Sequence, residues 1–321
     1  MRNFSQEFRN LNYVLKNAEG ILLFAHTRPD SDTVGSNIAL QEYIETLGKT
    51  ADICCLDPLP EFAKSLFPGT TFHTPSELDF TSYDVFIASD SVNRGFHTMR
   101  DKVSTEKVIV LIDHHPIDDA VGDIVIIDTG FSSAAEIVFA FMKVSNIRIS
   151  HRMATALLLG ILGDTGNLQH SSTTPQTFAA AASLIRSGAQ LPKITTSVFS
   201  NNSISTLKLW GRALARAKIN PNNGMIYSAI TENDIIELGN PSTEDLYIAS
   251  ALLNNVPDAK FSLLFYQISP DSVRGSFRTE PHKGVDVSNI AQSLGGGGHK
   301  YASGFEIPGR IVETSEGWEV R

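Results

Sequence analysis

At 321 residues the chain is long for one compact core, and two domains are expected. Apolar residues make up 42% and charged residues 19%, an ordinary globular-enzyme mix that argues against a disordered, collagenous or solenoid protein. The formal net charge of −9 comes without any basic stripe; because phosphate neutralisation dominates affinity for long nucleic acid, no long duplex partner is expected, and a nucleic-acid substrate would be short and held in a local pocket.

Residues 1–8 lack the charged-then-apolar pattern of a signal peptide, and no apolar run approaches the length of a membrane span. The cysteines, Cys54 and Cys55, are adjacent in an expected strand and point to opposite faces, so they are poor disulfide partners. A reducing, cytoplasmic setting is expected. Strands are expected at 21–25, 51–55, 85–89, 108–112 and 124–127, with helices at 34–47 and 133–144 among them. That alternation predicts a doubly wound parallel α/β sheet with helices on both faces. Helices follow at 153–162, almost wholly apolar and therefore buried, and at 175–187, which opens with Pro175 and stops before Gly188. Residues 199–203 read as a polar break before a helix at 204–218, and the Asn-Pro-Asn-Asn-Gly run at 220–224 is turn chemistry. Strands at 225–231, 260–267 and 272–278 and helices at 244–253 and 285–294 complete a smaller α+β domain. The expected division is a catalytic metal-binding domain at 1–190, a linker with a helix at 191–222 and a substrate-binding domain at 223–321, with the active site in the cleft between the two domains.

Open parallel sheets place their sites beyond the carboxyl ends of the strands. The first strand is followed at once by His26, Asp30 and Asp32, the third by Asp90 and the fourth by Asp113, His114 and His115, while Asp164 follows the buried helix. Three strand ends and one helix end thus deliver metal-ligand residue types to one edge. Carboxylates with neutral imidazole and no thiolate favour Mn²⁺ or a related ion over structural zinc. Asp30, Asp32, Asp90 and Asp164 crowded together would repel one another strongly, and two divalent cations would cancel that charge. Such a pair, roughly 3.5–4 Å apart, activates a bridging water and stabilises charge on phosphate oxygens. In the second half, Gly295–Gly298 and His299 form a run whose amides can approach a phosphate closely, and Arg274 and Arg278 alternate onto one strand face suited to phosphate.

These motifs, in this order, resemble the DHH phosphoesterase superfamily with its DHH-associated C-terminal domain, from about residue 20 to residue 305. Within it the likeness is to small bacterial oligoribonucleases that also dephosphorylate 3′-phosphoadenosine 5′-phosphate. The resemblance implies one metal held by His26, Asp30 and Asp90, and a second by Asp32, Asp90, His114 and Asp164, with Asp90 bridging and Mn²⁺ the expected ion. It implies that His115 faces the substrate phosphate, that Asp113 orients the histidines, and that Arg274, Arg278, Gly296, Gly297, Gly298 and His299 bind the nucleotide phosphate. The substrate would be a short oligonucleotide or nucleoside bisphosphate; no membrane partner is expected, and a homodimer is left open.

Two positions depart from the family pattern: Ser31 stands between the first two aspartates where glycine is common, and Gln169 where relatives often carry arginine. An inorganic pyrophosphatase would share the first-domain residues but not the Gly-Gly-Gly-His run. A processive single-strand exonuclease would be larger. A cyclic- or linear-dinucleotide phosphodiesterase would use the same chemistry, and a nucleotide-binding sensor without turnover is the reading from another class.

Overall fold

The computed structural model describes residues 2–199, 203–315 and 317–321, so residues 200–202 of the expected polar break lie outside the described residues. The chain divides into two compact units, Met1–Asn201 and Asn202–Arg321.

The first unit opens with helix α1 (Ser5–Asn17), whose Phe8, Leu11 and Leu15 form one buried stripe. Then come β1 (Gly20–Phe24), α2 (Ser31–Thr46), β2 (Thr50–Cys54), β3 (Phe72–His73), β4 (Val85–Ser89), β5 (Val108–Asp113) and β6 (Ile124–Ile127), followed by α3 (Ala134–Val144), α4 (His151–Asp164) and α5 (Pro175–Arg186). All six strands pair in parallel in the order β3-β2-β1-β4-β5-β6. The chain runs outward in one direction from β1 and in the other from β4, so the topological switch point lies between these two strands. The two-residue edge strand β3 had no signal in the sequence: it is too short to show a period.

Alternation along β1 sends Ile21 and Leu23 to the larger core and Leu22 and Phe24 to the other face. Cys54 and Cys55 divide between the same two faces, both buried as free thiols. Long helices cover the larger face. The opposite face is covered by short helical pieces over 92–102 and by an aromatic cluster in which Phe96 meets Phe24 edge-on at 5.0 Å. Helix α4 is buried continuously over Met153–Leu162, with α2, α3 and α5 packed around it. Small residues permit this contact: a Cβ on Gly35 would come within 2.2 Å of the Ala156 carbonyl oxygen. Among the described residues, no helix is long and apolar enough to cross a membrane.

The second unit contains α6 (Ile204–Ala215), β7 (Lys218–Asn220), β8 (Met225–Ile230), α7 (Glu232–Glu237), α8 (Thr243–Leu253), β9 (Phe261–Ser269), β10 (Ser272–Arg278), α9 (Val287–Ser293), β11 (Gly297–His299), β12 (Ala302–Pro308), β13 (Ile311–Glu313) and β14 (Trp318–Val320). Six strands form a mixed sheet, β11-β12-β10-β9-β8-β7, in which only β8 and β9 run parallel. The helix expected over 204–218 ends at Ala215, because Lys218–Asn220 pairs instead with Met225–Tyr227 across the 220–224 turn. The glycine run is itself partly strand: Gly297–His299 pairs with Ala302–Gly304.

Candidate active site

The residues expected as ligands meet at the switch point. His26 follows β1, Asp90 follows β4, Asp113 ends β5 with His114 and His115 next, and Asp164 ends α4. Asp30 is the N-cap of α2, accepting from the Asp32 and Thr33 amides, so one carboxylate starts the helix and faces the site. Asp32, fully buried in the first turn of α2, accepts from Ala134 N–H at 2.7 Å and Ala135 N–H at 2.8 Å, at the positive end of α3. Asp90 has φ 57°, a left-handed conformation that aspartate tolerates and that turns its side chain into the site.

Three overlapping groups of donor atoms result, each within 4.8 Å: His26, Asp30 and Asp90; Asp32, His114 and Asp164; and Asp90, His114 and His115. His26 Nε2 lies 3.1 Å from Asp30 Oδ2 and 3.4 Å from Asp90 Oδ2. His114 Nε2 lies 2.9 Å from Asp164, 3.8 Å from Asp90 and 3.9 Å from Asp32. Yet His26 Nε2, His114 Nε2 and Asp90 Oδ1 are buried without a hydrogen-bond partner among the described residues. A buried polar atom left unpaired costs about 1–3 kcal/mol, and all three belong to these donor groups, as residues that hold a cation would. The tautomer agrees: His26 Nδ1 lies 2.7 Å from the Thr27 carbonyl, which can only accept, so Nε2 keeps its lone pair for the site.

Electrostatics point the same way. Burial pushes Asp32 well above the usual carboxylate range, and the charges of Asp164, Asp90 and Asp30 push it further. Burial likewise raises Asp90, to about 6 despite the opposing His26 imidazole beside it. Burial would lower His26, but the Asp30 and Asp90 carboxylates outweigh it and raise it to about 9. Without a cation, this cluster holds protons that a divalent ion would displace.

Asp113 serves His115. Its carboxylate accepts the His115 backbone N–H at 3.0 Å and faces Nδ1 at 2.9 Å. Burial alone would raise Asp113, but these bonds hold it below the usual range, so it stays anionic. Half-exposed His115 is therefore oriented through Nδ1, with Nε2 available to a ligand.

The backing of the site was missed by sequence reasoning. A Cβ on Gly160 would come within 2.8 Å of Asp32 Oδ1 and 2.5 Å of Ala135 Cβ. One on Gly163 would come within 2.4 Å of Ser31 Cβ, so this chain accommodates its serine against a glycine. Gln169 is exposed, in a loop where Asn167 and Leu168 are both left-handed, and the neighbouring His170 ring faces the Asp164 carbonyl at 3.0 Å.

In the second unit a pocket of about 190 Å³ is lined by Arg274, Arg278, Gly297, Gly298 and Tyr247 among others. Tyr247, which no sequence signal singled out, lies under both guanidinium groups, 5.9 Å from Arg274 and 5.6 Å from Arg278. The glycines differ in role. Gly296 donates its amide to the Ala291 carbonyl at the end of α9, and its Cβ would strike the Gly304 carbonyl at 2.2 Å. Its amide is thus committed within its own unit, and it is not among the residues that line this pocket. Gly298, at φ 137°, has the Ala302 carbonyl 2.7 Å from where a Cβ would stand, whereas Gly297 faces open space. His299 is exposed on β11.

Residues 20–161 match the DHH family N-terminal domain and residues 222–316 the DHHA1 domain. A Mycoplasma pneumoniae protein, the MG371 homolog, is 30% identical over 96% of this chain and 92% of its own. The bifunctional oligoribonuclease and PAP phosphatase NrnA of Thermus thermophilus is 28% identical over 97% of this chain and 91% of its own. An exopolyphosphatase-related protein from Bacteroides fragilis shares the fold, with TM-score 0.83 at 21% identity over 94% of this chain and 91% of that one. With the DHH domain followed by DHHA1, and with relatives matched along nearly its whole length, the chain belongs to the DHH family.

Proposed function

We propose that this chain is a hydrolase of phosphate esters that degrades short oligoribonucleotides to mononucleotides and removes the 3′-phosphate of 3′-phosphoadenosine 5′-phosphate, using two divalent cations. The observation that carries the chemistry is the chain of three oxygen–nitrogen groups at the switch point, His26–Asp30–Asp90 and Asp32–His114–Asp164 linked through Asp90–His114–His115, with three buried donor atoms unpartnered among the described residues. The substrate class rests on the similarity to the Thermus thermophilus enzyme. His26, Asp30 and Asp90 would hold one ion, and Asp32, Asp90, His114 and Asp164 the other. Manganese follows from the family likeness; the donor set itself suits Mn²⁺, Mg²⁺ or Co²⁺ alike. When bound, the ions would supply an activated water and offset the phosphate charge.

The chain's own residues supply orientation. Asp113 fixes the His115 ring through Nδ1, so Nε2 is directed to a phosphate oxygen, where it donates or accepts a hydrogen bond. Asp32 is locked by two helix amides and cannot drift as charge accumulates nearby. Arg274 presents an unshared guanidinium fork, with no hydrogen-bond partner among the described residues, to a phosphate in the second unit.

The test is incubation with Mn²⁺ of a 5′-labelled RNA trimer and of 3′-phosphoadenosine 5′-phosphate. Asp90→Asn is the control, chosen because asparagine tolerates φ 57° while alanine does not. Mononucleotide or AMP release that the variant loses supports the proposal. No turnover of either substrate sinks it, and cyclic dinucleotides are then next to try.

A further inference from the structure

Arginine side chains carry a permanent charge, and two of them side by side need a counter-charge or a surface that spreads them. Arg274 and Arg278 stand four residues apart on β10, and neither forms an ion pair with a carboxylate among the described residues. Arg278 is tethered, donating to the Phe277 carbonyl at 2.8 Å and the Ser276 hydroxyl at 3.2 Å, and burial works against its charge. Arg274 has no such tether. What the two share is the Tyr247 ring, presented from α8 with both guanidinium carbons within 6 Å of its centroid. Beneath them lies Tyr266, the register partner of Arg274, fully buried. The charged groups facing its hydroxyl are Arg274 and Arg278, with the Tyr247 phenol beside them.

We infer that Tyr247 is the positioning residue of the second unit's anion pocket, its aromatic face seating both guanidinium groups so that they receive one phosphate monoester together. The ring's negative face attracts each cation, more strongly where water is excluded. It thereby offsets the repulsion between the two arginines while the pocket is empty and leaves their N–H groups pointing at the ligand. Gly297, open on its free side, gives the phosphate room to approach the backbone. The inference deepens the proposed function and rests on it for the identity of the ligand as a nucleotide phosphate.

The test measures binding without turnover. AMP and inorganic phosphate are titrated calorimetrically into the full-length protein with no added metal, so that no bound cation draws the anion to the first unit. Tyr247→Leu should weaken both probes roughly tenfold, whereas Tyr247→Phe, which keeps the ring, should stay within about twofold of the native protein. Tyr247→Trp, a better π-donor, should bind at least as tightly as the native residue. Equal affinity in Tyr247→Leu and the native protein would overturn the inference. So would a loss in Tyr247→Phe as large as in Tyr247→Leu, which would make the hydroxyl, not the ring, the important group. The proposed hydrolysis stands or falls separately: native turnover with no Tyr247→Leu effect overturns only this inference, and the reverse pattern overturns only the activity.

Discussion

Two buried aspartate sites, one in each unit, show opposite solutions to the same problem. Asp234 in the second unit is surrounded by cations: Arg212 donates at 2.7 Å, Arg216 bonds both oxygens, and the Thr231 amide and hydroxyl each donate at 2.8 Å. Burial would raise its pKa, but these partners hold it below the usual carboxylate range. Asp32 and Asp90 in the first unit are as deeply buried, yet burial and the charges of neighbouring carboxylates outweigh the helix amides on Asp32 and the His26 imidazole beside Asp90, and both are pushed upward. A carboxylate satisfied by its own chain serves structure. One left to repel its neighbours, held in place by helix amides and a left-handed backbone, is set for a ligand the chain does not contain.

The strongest way to break that contrast is Asp90→Asn. If Asp90 belongs to both cation sites, turnover should fall by at least about 10³-fold, the loss of about 4 kcal/mol of transition-state stabilisation. In chelator-treated protein the same change should raise the melting temperature, because it removes one of the repelling charges. A variant that is inactive and also less stable without metal would mean that Asp90 is a structural residue like Asp234.

Asp234→Asn should do the reverse. Removing the buried carboxylate leaves Arg216 without its acidic partner, while Arg212 keeps Glu237 at 2.9 Å, at a cost of about 1–3 kcal/mol in urea unfolding, with turnover per folded molecule unchanged. The pH dependence has a defined sign. A depressed folded-state pKa contributes stability above the unfolded carboxylate value of about 4 and loses it as pH falls through the folded value. The gap between native protein and variant should therefore be full at neutrality and close on acidification below pH about 4.

How much of this contrast was legible in the sequence follows from the physics of each element. Strand ends were readable because a continuous apolar run such as Val85–Ser89 gives way at once to Asp90, and a parallel sheet sends all such ends to one edge. Arg274 and Arg278 were readable because strand alternation has a fixed period. Tyr247 was not, since a half-buried tyrosine on a helix carries no local mark of what packs above it. Neither was the cap role of Asp30, nor β11, because glycine runs show no hydrophobic period. The α1 stripe of Phe8, Leu11 and Leu15 has helical spacing and was legible in principle.

Gly160 tests whether the first site depends on close helix approach. Its alanine variant would press on Asp32 Oδ1 and Ala135 Cβ, so about 1–3 kcal/mol of overpacking is expected. Because the strain falls on an expected ligand, the apparent metal constant should worsen as well. The control is Gly211→Ala, where a Cβ meets nothing within 4 Å and helix propensity favours alanine by about 1 kcal/mol. Matching stability losses in the two variants would show that proximity to Asp32 is irrelevant.

The smallest effects separate the two units most cleanly. Ser133 caps α3, whose first amides hold Asp32, and Ser242 caps α8, which carries Tyr247. Each serine-to-alanine change removes the cap bond, and Ser242→Ala also loses the hydroxyl's bond to the Asp245 carboxylate at 2.8 Å; each should cost about 1–2 kcal/mol, so stability alone will not tell them apart. Ligand binding will. Fraying the start of α3 loosens Asp32, so Ser133→Ala should weaken Mn²⁺ binding and leave metal-free AMP binding alone. Ser242→Ala should loosen the seat of the two arginines and do the opposite. If both variants weaken both ligands equally, the cation cluster and the arginine pocket are not independent sites, and the division of labour between them fails.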